Sequence, residues 1–210
     1  MTIFSGTNLH CFRGERIVFA DLSFEVRAGG GLVLRGHNGS GKSTLLRLMA
    51  GLLKAHRGVI CWAGENILEE PEQHNHRLHY VGHLDAVKPV LTVRENIAFW
   101  SELRGGPVDL DNALEIFGID FLADVPGRFL SAGQKRRVNL ARIVAAPAAV
   151  WLLDEPTTAL DSDAISALQM AIQRHRDNGG MVVASTHADL GLEDARTLNL
   201  DQYRYDGEFA

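Results

Sequence analysis

The chain has 210 residues, 46% of them apolar, which suits one well-buried domain or one domain carrying an inserted subdomain. Its net charge of −5, with acids and bases interspersed, argues against the basic face that nucleic-acid binding needs. No window reaches the ~20 apolar residues of a membrane-spanning helix, and residues 1–6 lack the basic start and apolar run of a secretory signal, so a membrane role is expected only through a partner.

The first thirty residues read as short strands. Ile17-Val18-Phe19 and the alternating Leu22-Ser23-Phe24-Glu25-Val26 are separated by a turn expected at Ala20-Asp21. Leu32-Val33-Leu34 is a continuous apolar run that ends in a glycine-rich loop, and an amphipathic helix is expected over residues 43–53. Strand, glycine loop and helix in that order make a phosphate-binding βα unit. Residues 84–147 carry no buried-strand pattern and read as helical. Thr92-Val93-Arg94-Glu95 would open one helix with a capping box, and Gly105-Gly106-Pro107 marks a break. Residues 148–153 and Met181-Val182-Val183-Ala184 read as buried strands, joined by a helix over 163–176 with Ile165, Leu168 and Ile172 on one face. Strands alternating with helices indicate an α/β fold with a mainly parallel sheet. Cys11 and Cys61 have no CxxC partner or metal spacing and read as buried or half-buried thiols. His74-Asn75-His76 reads as part of a polar, solvated connection, so His74, His76, His79 and His83 are not read as a haem or metal site.

Gly36-His37-Asn38-Gly39-Ser40-Gly41-Lys42-Ser43-Thr44 fits the P-loop pattern. Its glycines let the backbone turn several N–H groups toward phosphate oxygens, and the following helix adds the positive end of its dipole. Lys42 would reach the β- and γ-phosphates and the Ser43 hydroxyl would ligate Mg2+. Val150-Trp151-Leu152-Leu153 ends in the paired acids Asp154 and Glu155, which a strand end delivers to the carboxyl edge of the sheet. Asp154 would hold Mg2+ through its water shell and Glu155 would polarise the attacking water as general base. These two elements alone specify a P-loop ATPase.

Leu130-Ser131-Ala132-Gly133-Gln134, followed by the short basic run Lys135-Arg136-Arg137, narrows the reading. The segment reads as a capping box at a helix start, and it also resembles the LSGGQ signature of ABC ATPases, with Ala132 in place of a glycine. The resemblance implies one ABC ATPase domain over residues 1–210, with a nucleotide-binding core (1–83 and 148–210), N-terminal antiparallel strands and an inserted helical subdomain (84–147). It further implies that two copies close head to tail around two ATP molecules through Ser131, Gly133, Gln134 and Asp161, with Asp161 in the loop Thr158-Ala159-Leu160-Asp161. His187, after Ser185-Thr186, matches the histidine that senses the γ-phosphate. Phe12 either stacks on adenine or packs in the core. Where the family carries a glutamine that touches Mg2+, this chain has His83, whose imidazole can still hydrogen-bond a water or a phosphate oxygen.

Within the ABC ATPases, Gly82-His83, Leu91-Thr92 with Glu95-Asn96, and the run from Leu130 to Arg137 resemble the ATP-binding subunits of cytochrome c maturation systems, over nearly the whole chain. That resemblance implies docking on membrane permease subunits at the cytoplasmic face of an inner membrane, with residues 84–104 forming part of the groove for the partner. It implies hydrolysis tied to haem export or to release of a haem-loaded chaperone. The ATPase subunit of another importer or exporter, and a soluble ABC ATPase outside transport, are the alternative readings.

Overall fold

The computed structural model describes residues 2–14, 16–103, 108–192 and 194–204. Two sheets organise the chain. The N-terminal sheet is antiparallel, in the order β2 (Arg16–Arg27), β1 (Ile3–Arg13), β4 (Arg57–Trp62), β5 (Glu65–Asn66). The second is parallel, in the order β6 (Leu78–Val81), β7 (Val150–Asp154), β8 (Met181–Ser185), β3 (Gly31–Arg35), β9 (Arg196–Asn199).

The parallel sheet is apolar on both faces, and its period of two divides the core. Val33, Trp151, Leu153, Val182 and Ala184 face the helices α3 (Val93–Glu102), α4 (Leu110–Ile116), α5 (Ala132–Ala145) and α6 (Ser162–Asp177). Leu32, Leu34, Val150, Leu152 and Val183 face α1 (Lys42–Met49) and the antiparallel sheet. Helices α3, α4 and α5 therefore share one core with a face of the sheet. The Thr92 capping box forms as expected, with Thr92 Oγ1 accepting from Glu95 N–H and the Glu95 carboxylate accepting from Thr92 N–H. The break expected at Gly105-Gly106-Pro107 lies outside the described residues.

Three local expectations are corrected. Ala20-Asp21 is not a turn between two strands: β2 runs through it, with Asp21 as a left-handed residue (φ 53) beside irregular pairing to β1. An aspartate tolerates that conformation, so the strand bends without leaving the sheet, and the Asp21 carboxylate accepts from His10 Nε2 at 3.0 Å. Helix α1 ends at Met49 rather than at residue 53, because the chain turns at Gly51 and Leu52 N–H bonds back to Arg47 O. His74 lies in a helix, α2 (Pro71–Arg77), and is buried, its Nε2 donating to Met49 O at 2.8 Å; burial pushes its imidazole pKa down. Within the basic run after Gln134, Arg136 turns into the core.

Candidate functional site

The P-loop joins β3 to α1. Gly41 is the N-cap of α1 in a left-handed conformation (φ 102), and no side chain caps this helix start. A Cβ on Gly41 would come within 2.6 Å of Val18, so the close approach of β2 demands glycine here as much as the turn does. Lys42 is 8% exposed, and its Nζ donates to Gly36 O at 2.7 Å and His37 O at 3.0 Å, curling the loop around an ammonium group. Asn38, Gly39, Ser40, Ser43 and Thr44 complete the same loop and first turn, with Ser40 buried.

Parallel pairing delivers the acids. Asp154 is opposite Ser185 in the β7–β8 ladder, and β3 lies on the other side of β8, so the P-loop, the acids and the residues after Ser185 meet at one sheet edge. Asp154 is 2% exposed, and among the described residues its Oδ2, like the buried Ser185 Oγ and Ser40 Oγ, has no hydrogen-bond partner. Buried polar atoms without partners are costly, and a carboxylate oxygen and hydroxyls at a phosphate loop are the hard-oxygen donors that suit Mg2+. In donor chemistry the unpartnered Asp154 carboxylate oxygen, at the sheet edge that carries the P-loop, fits a divalent ion.

Glu155 has a left-handed backbone (φ 45), with its N–H donating to Ser185 O at 2.8 Å. Its carboxylate lies 3.8 Å from His187 Nε2, so the residues read as base and γ-phosphate sensor are neighbours. His83 is exposed in the loop after β6. Phe12 is half-buried with its ring edge-to-face on His56, centroids 4.6 Å apart, and it is not part of the lining of the cavity of about 260 Å³ formed beside the P-loop by Ile17, Val18, His37, Gly39, Ser40, Leu200 and Arg204.

The signature segment opens α5. Ser131 is its N-cap, and a full capping box forms with Gln134: Gln134 N–H donates to Ser131 Oγ at 3.2 Å and Ser131 N–H to Gln134 Oε1 at 2.8 Å. Gly133 sits against the loop leading to α6, where an added Cβ would meet Ala159 O at 2.8 Å. Asp161 caps α6 by accepting from Ala164 N–H, and it also accepts from Arg137 Nη2 at 2.7 Å. These bonds hold its carboxyl pKa below the usual range, the Ala164 N–H foremost.

Two contributors escaped sequence reasoning. Asp201, in the 3-10 turn Leu200–Tyr203, accepts from the backbone N–H of His37 at 3.2 Å and from its ring Nδ1, bracing the start of the P-loop. The ring hydrogen bond is the main reason its carboxyl pKa is lowered. Arg136 joins the ends of β6 and β7 from within α5. Asp201 belongs to no motif, and Arg136 enters the sequence reading only as part of the run from Leu130 to Arg137, with no role of its own. The four histidines do not converge, since His74 and His79 each bond a main-chain carbonyl, and among the described residues no group of three or more His, Cys, Asp or Glu could hold a metal ion.

The family model for ABC transporters matches residues 19–158, which include the P-loop, the signature segment and the paired acids. The chain belongs to the ABC transporter family. Among curated ABC relatives it is 57% identical to the "Cytochrome c biogenesis ATP-binding export protein CcmA" of Rhodospirillum rubrum, covering 97% of this chain and 88% of that protein. It is 56% identical to the protein of the same name from Paramagnetospirillum magneticum, over 95% of this chain and 94% of the relative. Among solved structures it superposes on an ATP-binding subunit of an ABC transporter with a TM-score of 0.86 at 23% identity, over 94% of this chain and 85% of that one. A putative ABC transporter ATP-binding protein from Pyrococcus furiosus gives 0.84 at 24% identity, over 97% and 100%. These two likenesses establish the ABC ATPase fold. Among the described residues no helix is long and apolar enough to cross a membrane.

Proposed function

We propose that this chain is the ATP-hydrolysing subunit of an ABC complex for cytochrome c biogenesis, working as two copies on membrane permease subunits at the cytoplasmic face of the inner membrane. Its relatives' name supports the biological assignment. One observation supports the chemistry above the rest: a buried Asp154 with an unpartnered Oδ2 lies at the same sheet edge as Glu155, whose carboxylate is 3.8 Å from His187.

In this reading the P-loop and Lys42 take the phosphates of ATP, and Asp154 and Ser43 hold Mg2+. When bound, the ion offsets charge on the β- and γ-phosphates. Glu155 orients the attacking water and accepts its proton, and His187 adds a hydrogen bond at the γ-phosphate. Ser131 and Gly133 of each copy face the ATP of the other, and residues 84–147 act as the subdomain that carries closure to the permease. Asp161 contributes at that interface while capping α6. His83 stands in the loop through which the nucleotide site and the permease communicate. Export of haem, or release of a haem-loaded chaperone, is the work to which hydrolysis is coupled.

The test uses Glu155→Gln, purified from detergent-solubilised membranes with ATP, with co-purifying proteins identified by mass spectrometry. The expected result is a turnover loss of about a thousandfold with nucleotide binding retained, and recovery of cytochrome c maturation membrane subunits. Undiminished turnover would remove Glu155 from the base role. Recovery of another permease would keep the ATP chemistry and replace the biological assignment, and ribosomal or chromosomal partners would overturn the transporter reading.

A further inference from the structure

Arg136 lies in the second turn of α5 and is 2% exposed. Its fork meets an acceptor at every nitrogen. Nε donates to Pro156 O at 3.0 Å, Nη1 to Gly82 O at 2.9 Å and to Asp85 Oδ1 at 3.2 Å, and Nη2 to Asp154 O at 3.1 Å and Glu155 O at 2.6 Å. Four of these acceptors are main-chain carbonyls from two separate strand ends. Strands β6 and β7 are paired as far as Val81 and Leu153. Past that pair the chains diverge, and Arg136 supplies the donors for the carbonyls that follow on both sides.

The consequence falls on Glu155. A left-handed backbone in a residue with a side chain persists only where its surroundings impose it. Here the peptide before Glu155 is held by Ser185 O and its own carbonyl by Arg136. With both sides fixed, the Cα–Cβ direction is fixed, and the carboxylate is aimed at His187. The other carbonyl held by the same guanidinium, Gly82 O, immediately precedes His83. Among the described residues the one carboxylate on the guanidinium is Asp85, itself steadied by Asn139 Nδ2 at 3.1 Å. A buried charge used mainly on carbonyls is a poor stabilising device, because desolvation offsets most of what it gains. A planar, five-donor fork is, however, the one side chain that can satisfy carbonyls arriving from three directions.

We infer that Arg136 is a positioning residue for hydrolysis: it holds the Glu155 main chain in the conformation that aims the carboxylate, and ties that conformation to the loop bearing His83. Because it sits on α5, any shift of the helix that begins at Ser131 reaches Glu155 and Gly82-His83 together. The inference rests on the reading of Glu155 as general base.

The test compares Arg136→Lys, Arg136→Ala and Asp85→Asn with wild type and with Glu155→Gln, each as the full chain purified with its membrane subunits. Turnover, KM for ATP and the thermal midpoint are measured for all five. Arg136→Lys keeps the charge but not the fork; it should lower kcat by about tenfold or more while KM moves by less than about threefold and the midpoint stays near wild type. Millimolar guanidinium should restore part of the kcat of Arg136→Ala and none of that of Glu155→Gln. Asp85→Asn should show the same split in weaker form. Wild-type kcat in Arg136→Lys would overturn the inference. So would a loss in which kcat falls only with the fraction folded and guanidinium restores nothing. If Glu155→Gln itself turned over normally, the base reading would fall, whatever the Arg136 variants did.

Discussion

Helices α1 and α5 both begin at segments read as anion-binding, yet they are finished in opposite ways. The α1 start has a left-handed glycine at its N-cap and no side-chain cap, so its first-turn N–H groups are left to a ligand. The α5 start is closed by its own chain, with Ser131 and Gln134 satisfying one another's backbone N–H groups. The difference teaches where each site gets its order. On the proposed reading the P-loop gains from a bound phosphate, so its stability would be linked to nucleotide. The signature turn is already built in the single chain, so on that reading a second copy would add position rather than folding. Gly133 is accounted for inside the chain as well, by its approach to Ala159 O.

Three substitutions sharpen or break this contrast. Lys42→Ala should have the largest effect, lowering ATP affinity by about a hundredfold or more, since a charge-assisted phosphate contact is lost and the loop loses its bonds at Gly36 O and His37 O; undiminished affinity in a fluorescent-nucleotide titration would refute the P-loop role. Gly133→Ala comes next. The new Cβ forces α5 and the Ala159 loop apart, which should cost about 1–3 kcal/mol in denaturant unfolding while the isolated chain still binds ATP. Ser131→Ala should be smallest, about 1 kcal/mol from the lost cap. Its nucleotide affinity in the isolated chain should equal wild type. A weakened affinity there would mean that the two helix starts are not independent.

Much of the site was legible because its chemistry is local. Glycine spacing, an adjacent lysine and a hydroxyl describe the P-loop without reference to any distant residue, and an apolar strand ending in two acids has one sensible place in a parallel sheet. Both capping boxes were readable for the same reason, since they bond residues three apart. What was misread depended on neighbours that were not local. Asp21 looked like a turn because the partner strand that keeps β2 continuous is not visible in its own sequence. His74 looked solvated because Met49 O, which receives its ring N–H, is 25 residues away.

The sequence by itself determined the strand–loop–helix order around the phosphate loop, the apolar strands at 148–153 and 181–184 and the residue types at the loop, because these follow from periodicity and short-range backbone geometry. Tertiary structure alone decided that Asp201 braces His37 from 164 residues away and that Arg136 turns inward across spans of 18 to 54 residues to hold Asp154, Glu155, Pro156, Gly82 and Asp85. A guanidinium on a helix is polar wherever it lies. Only the convergence of two strand ends beneath α5 supplies the carbonyls that make burying it worthwhile.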